Sequence, residues 1–185
     1  MREEEFEEED QPVIYAFHFM EEISNFAEQE MERELAAVIE IGEALFVWRS
    51  DEMQCLLNQL LSVGTFAVIE NHGRDLALDA GIVLSSRAVW GEIRTKLERI
   101  LNRTFDTFPS FTTVETVRRL ANCFKHNGGW PDTEMIEKSP RPDLTNNPDP
   151  DYVRITFWRW IDTRRNLQEA SQFLSSLAKE IRSRI

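Results

Sequence analysis

From Ile14 onward the apolar residues of this chain return at three- and four-residue intervals for more than thirty positions. Ile14, Phe17, Met20, Ile23 and Phe26 recur every third residue, and Met31, Leu35, Val38, Ile39, Leu45 and Phe46 continue the face. That is the period of an amphipathic α-helix and not the alternation of a strand. Pro12 suits a first turn. Whether residues 11–48 form one long helix or two is left open by the sequence.

The same period recurs downstream. Ser50 and Asp51 read as the cap of a second segment reaching about Ala80, with Glu52 in its first turn. Its Met53, Leu56, Leu57, Leu60, Leu61, Val63, Phe66, Val68 and Ile69 give the broad apolar surface of a central bundle helix, with Gly64 or Gly73 as points of breakage. A third segment runs from Arg87 to about Arg103, with Val89, Trp90, Ile93, Leu97, Ile100 and Leu101 inward and Glu92 four residues before Lys96 outside. Phe105, Phe108 and Phe111 surround Pro109 in a connector expected to pack over the bundle end. Thr112 or Thr113 then caps a fourth helix, from roughly Thr113 to His126, with Glu115 in its first turn. A last amphipathic helix begins at Trp160 or Asp162 and runs to Ile185, with Leu167, Ala170, Phe173, Leu174, Leu177 and Ile181 inward.

Between the last two helices the composition changes. Residues 130–151 hold Trp130-Pro131, Ser139-Pro140-Arg141-Pro142 and Asn146-Asn147-Pro148-Asp149-Pro150, a loop too rich in proline to read as helix. A loop of this length either shapes a site or is a surface insertion. Tyr152 to Phe157 shows the β-branched alternation of one short strand. The fold expected is all-α: an up-and-down bundle of about five helices, with a Pro-rich insertion before the last.

A chain of 185 residues buries a proper core as one domain. The reading is a single helical domain over residues 11–185, preceded by a solvated, disordered acidic tail at 1–10. That tail carries seven acids within residues 3–10, the reverse of a signal peptide. There is no apolar run of membrane-spanning length. Cys55 and Cys123 fall inside helical patterns without metal-ligand spacing, which fits buried thiols in a reducing cytoplasm.

The formal net charge is -12, which counts against indiscriminate binding of nucleic acid. Much of the deficit is concentrated, with eight further acids from Glu21 to Glu43 against Arg33 alone. The later helices carry Arg87, Arg94, Lys96, Arg99, Arg103, Arg118, Arg119 and Lys125, enough for a local positive cleft. The acids Glu28, Glu32, Glu40 and Glu43 allow two readings: a solvated helix face, or carboxylates for Mg²⁺ as in all-α nucleotide pyrophosphatases. His18 reads as a core-edge residue and His72 as a hydrogen-bonded surface one, and neither is at zinc-ligand spacing from the other.

The stretch with most chemistry is Arg118 to Gly129. It reads as the end of a helix stopped by Asn127-Gly128-Gly129. Arg119, Asn122 and His126 fall at i, i+3 and i+7 and share one face, while Leu120, Cys123 and Phe124 face inward. A guanidinium can grip phosphate in a fork, and an imidazole can move a proton near neutral pH. The plainer alternative is electrostatic: Lys125 and His126 sit where a helix dipole favours cations.

Arg-x6-His, with Asn122 inside it and Asn127-Gly128 after it, resembles the Arg-x(4–6)-His signature of HEPN domains, all-α domains of prokaryotic toxin–antitoxin and phage-defence systems. The chain departs from the pattern where Asn122 does not directly follow the arginine and where Gly128 replaces a hydroxyl residue found in some members. The resemblance implies a homodimer in which two motifs form a metal-independent ribonuclease site without cofactor. On it, His126 is the general acid or base, Arg119 stabilises charge on the phosphate, and Asn122 orients it, with Arg118 and Lys125 as substrate-binding cations. RNA or a nucleotide is the implied substrate and an antitoxin protein the implied partner. Two alternatives stay open: a non-catalytic module of the same fold binding nucleotide, nucleic acid or protein, and a Mg²⁺-dependent nucleotide pyrophosphatase.

Overall fold

Helix α2, 36 residues from Ala44 to Asp79, is the element against which the others are arranged. In this computed structural model residues 11–41 and 44–185 are described, with side chains described for 15–29, 32–33 and 51–185. Helix α1 is Gln11–Ile41, α3 Trp90–Leu101, α4 Phe111–Asn127, α5 Thr133–Glu137, α6 Pro150–Arg159 and α7 Thr163–Arg182. Short 3-10 turns occupy Phe105–Thr107 and Pro142–Leu144. α2 packs against α1, α3, α4, α6 and α7. The all-α expectation holds, with no strand among the described residues. The acidic stretch 1–10 lies outside them.

The two glycines of α2 do not break it. A Cβ on Gly64 would lie 2.9 Å from the Met20 Cε, and one on Gly73 would lie 2.8 Å from the Trp90 Cζ3. Each glycine gives up about 1 kcal/mol of helix propensity and in exchange lets α1 or α3 approach closely. Ser50 and Asp51 do not cap a helix; they lie inside α2, and the Asp51 carboxylate holds Arg159 at 2.8 Å.

The main core is aromatic at one end. Phe105 is fully buried, with ring centroids of Trp90, Phe108, Phe111 and Phe173 at 5.9, 5.9, 5.7 and 5.4 Å. These tilted and edge-on contacts are the arrangement that ring quadrupoles favour. The inward residues expected for α7, Leu167 through Ile181, are all buried. A second, smaller cluster joins Cys55 of α2, Leu120 and Cys123 of α4, Met135 of α5, and Val153, Phe157 and Trp158 of α6. It holds the end of α4 in place.

Other expectations differ from the structure. The bundle has seven α-helices among the described residues, not about five. The Pro-rich stretch is not a plain loop: Pro142 and Pro150 open a 3-10 turn and α6, at positions where the missing N–H costs nothing, and Pro131 precedes the cap of α5. Asp132 caps α5 by accepting from the Met135 N–H at 2.8 Å, and Asp149 caps α6 by accepting from the N–H groups of Asp151 and Tyr152 at 3.0 and 3.2 Å. Residues 152–157 are therefore helix α6 and not a strand. The β-branched Val153, Ile155 and Thr156 are buried in the helix together with Phe157 and Trp158, so tertiary packing overrides local propensity.

The fourth helix also starts earlier than expected. It begins at Phe111 after Ser110 in a left-handed conformation (φ 61°), and the Thr113 hydroxyl bonds Glu169 rather than capping the helix. Glu115 lies beyond the first turn, where it holds Arg118 at 2.9 Å. His72 is buried and not a surface residue, and His18 is exposed. Val89, Ile23, Phe26, Met53, Leu56 and Leu60 are exposed where the periodicity places them inward. No helix among the described residues is long and apolar enough to cross a membrane.

Candidate functional site

The site is built on the last two turns of α4. Val114, Val117, Leu120, Ala121 and Cys123 are buried, which turns the face carrying Arg119, Asn122 and His126 outward. The helix ends as its glycines require. Gly128 (φ 60°) and Gly129 (φ 84°) are left-handed, and both N–H groups reach the Cys123 carbonyl, the Gly129 one at 3.2 Å. A Cβ on Gly129 would run into the Gln59 amide. The Gly129 carbonyl accepts from the Trp158 Nε1–H at 2.6 Å, so the helix end is anchored to α6. Trp158 is fully buried, and its own carbonyl accepts from the Asn58 amide at 2.8 Å.

Arg119, Asn122 and His126 line one open depression of about 240 Å³, together with Cys123, Asn127, Asp132 and Met135. A neighbouring cleft of about 210 Å³ shares Arg119 and is lined by Leu120, Lys138, Phe157 and Trp160. The stretch after Gly129 therefore supplies part of the wall. His126 is exposed at the rim.

Arg118 and Lys125 are not brought into this depression. Arg118 turns back to Glu115, and Lys125 lies over the Phe66 ring at 5.7 Å. Arg119, Asn122 and His126 thus line one depression, and the two flanking cations serve contacts elsewhere, on α4 and α2.

The charge of Arg119 is already matched. The Arg119 guanidinium meets Glu134 at 2.9 Å through both Nη1 and Nη2, and Asp132 at 3.6 Å. The hydrogen bond from Arg119, and then that from Lys138, pull the Glu134 carboxyl down from the usual 4.5 to about 2. In return, that bond raises the Arg119 pKa. The Cys123 thiol donates to the Trp130 carbonyl at 3.0 Å, and burial, then the nearby Asp132, raises it to about 11, which removes it as a neutral-pH nucleophile. Cys55 is likewise raised by burial.

Asp132 and Glu134 are the site residues that periodicity does not reveal. Their signal is a helix start, Pro131-Asp132-Thr133-Glu134, with the cap residue and the first-turn acid both present. Among the described residues no three His, Cys, Asp or Glu side chains converge as a metal site. Of the four acids considered for Mg²⁺, Glu28 contacts Arg164 at 3.1 Å, and the side chains of Glu40 and Glu43 lie outside the described residues. Neither the family models, nor the curated proteins, nor the solved structures compared with this chain match it.

Proposed function

We propose that this chain is a HEPN-like, metal-independent endoribonuclease acting at the depression on α4. The observation that carries the reading is the placement of Arg119, Asn122 and His126 on one wall of one open depression. Such a wall combines a fork for phosphate, an amide and a group able to move a proton.

In the reaction, a base removes the ribose 2′-hydroxyl proton and the 2′-oxygen attacks phosphorus. The bond from phosphorus to the 5′-oxygen breaks, and that oxygen takes up a proton. His126 serves at one of the two proton transfers. Arg119 stabilises charge building on the phosphate, and Asn122 orients it. The products are a 2′,3′-cyclic phosphate and a 5′-hydroxyl. Seven residues of helix separate the Arg119 and His126 Cα atoms by about 10 Å along the axis. One phosphate is therefore best served by both groups if two copies of α4 face each other, which makes the active species a homodimer. An antitoxin protein that covers the depression is the corresponding partner.

The test is end chemistry. RNA incubated with the protein in EDTA should yield fragments whose 5′ ends accept phosphate from polynucleotide kinase without prior dephosphorylation. A 2′-deoxy substitution at the cleaved position should block the cut. Fragments bearing 5′-phosphate, or cleavage only with Mg²⁺, would remove this reading.

The fork between Arg119 and Glu134 favours a second reading, a non-catalytic module of the same fold. There the anion seat of Arg119 is filled by the protein itself, and the depression binds without cleaving. Binding of RNA or nucleotide with no cleavage under either condition supports it.

A further inference from the structure

The outer face of α1 and α2 carries a large apolar surface that no other described element covers. On α1, Tyr15, Phe19, Ile23 and Phe26 are spaced four, four and three residues apart and are 65%, 62%, 40% and 67% exposed. On α2, Met53, Leu56 and Leu60 are spaced three and four apart and are 56%, 50% and 51% exposed. Each set forms one stripe of its helix. The inward faces are different residues, with Phe17 and Ser24 buried on α1 and Cys55, Asn58, Leu61 and Ser62 buried on α2.

The two stripes overlap along the seam between the helices. Met20 meets Gly64 across the seam of the antiparallel pair, which brings Ile23 and Phe26 level with Leu60 and the Leu56–Leu57 turn. Seven large side chains roughly half exposed present on the order of 800 Å². That exceeds the largest patch of a typical monomer and matches one side of a standard protein interface.

Charge selects the occupant. Residues 1–79 hold 20 acids against four lysines and arginines, whereas residues 80–185 hold 13 against 17. α1 alone carries seven acids and one arginine. Glu22, beside the α1 stripe, is 66% exposed with His18 at 3.6 Å, and Glu52, beside the α2 stripe, is 39% exposed with Arg154 at 3.9 Å, so both keep acceptor sites open to solvent. A second copy would set one acidic α1 beside another, and residues 3–10 with their seven acids carry the same sign. From this apolar seam with acidic flanks we infer that the α1–α2 face is a docking site for a basic amphipathic helix of another protein, its apolar stripe on Phe19, Phe26 and Leu60 and its lysines or arginines against Glu22 and Glu52. Helix-in-groove recognition works through such i, i+3 and i+7 anchors.

The probe is a labelled synthetic peptide of leucine and lysine, about 18 residues long, with every leucine on one helical face. A control of the same composition spreads the leucines around the helix. Fluorescence anisotropy against the full chain should show the amphipathic peptide binding at least about tenfold more tightly than the control. Phe19→Ser with Phe26→Ser should weaken it by a similar factor, as should Leu56→Ser with Leu60→Ser. Glu22→Lys with Glu52→Lys leaves the apolar stripe intact and should weaken binding several-fold at low salt, an effect lost at high salt. Circular dichroism confirms the fold of each variant, and the charge-reversed pair decides the matter if a serine variant does not fold. Equal binding of the two peptides, or binding indifferent to all three pairs of substitutions, overturns the proposal. A concentration-dependent dimer in sedimentation that the serine variants dissociate assigns the face to a second copy and overturns it too.

Discussion

Arg119 and Glu134 meet through two parallel contacts of 2.9 Å, Nη1 to Oε1 and Nη2 to Oε2, across fifteen residues of sequence. This is the geometry with which a guanidinium grips a phosphate, and here a carboxylate of α5 takes that place. The fork of Arg119 is therefore already occupied by an anion of the protein's own.

The first prediction concerns that fork. The Glu134 carboxyl titrates at about 2 instead of 4.5 because of its hydrogen bond from Arg119, then that from Lys138. A depressed carboxylate pKa means the pair is intact above 4.5 and is lost only as pH falls through about 2. Carboxyl ¹³C shifts followed by NMR should show this low midpoint in the wild type and a clear rise in Arg119→Ala. An unchanged midpoint would mean that the fork does not form in solution.

Glu134→Gln removes the competing charge while keeping the shape. RNA binding, measured by anisotropy with a short labelled single strand, should tighten a few-fold, with the salt dependence becoming steeper as Arg119 is freed for phosphate. Weaker binding in this variant would give Glu134 a positive part in recognition instead.

Trp158 ties the site to the second core cluster. Trp158→Phe keeps most of the ring but leaves the Gly129 carbonyl without its 2.6 Å donor. An unpaired buried acceptor costs about 1–3 kcal/mol. For a chain of this length each kcal/mol lowers Tm by about 2–4 °C, so calorimetry should record a loss of several degrees. Any RNA cleavage should fall with it, because the end of α4 loses its anchor. A wild-type Tm would show that the bond contributes nothing.

Capping gives a smaller and more local effect. Asp149→Ala removes the acceptor for the Asp151 and Tyr152 N–H groups. Loss of such a cap costs about 1 kcal/mol. Urea unfolding should show that decrease with unchanged m, and hydrogen exchange should rise first in the opening turn of α6. Exchange rising evenly over the whole chain would contradict a local role.

The sequence states the helical class plainly, because a three- to four-residue apolar period has no other structural meaning over such lengths. It also marks the end of α4 correctly, since Gly128 and Gly129 are both left-handed and Gly129 meets the Gln59 amide. It fails where one residue has two uses. Pro150 reads as a breaker but opens α6, and the β-branched run after it reads as strand until its burial is known. Periodicity groups Phe26 with Phe17, and Leu60 with Leu61, in single apolar runs but does not show which of these residues the packing of α1 and α2 leaves uncovered. Of the candidate site, Arg119, Asn122 and His126 are legible as one face. Glu134 is not, because nothing local in the sequence brings α5 back onto α4.

The ribonuclease reading stands or falls on the rate of RNA cleavage in EDTA for the wild type, Arg119→Ala and His126→Ala, each checked by circular dichroism. The wild type should cleave, with a fall of about 10²–10⁴-fold on loss of His126 and of about 10²–10³-fold on loss of Arg119. Wild-type cleavage that survives both substitutions, or no cleavage by the folded wild type, would contradict it.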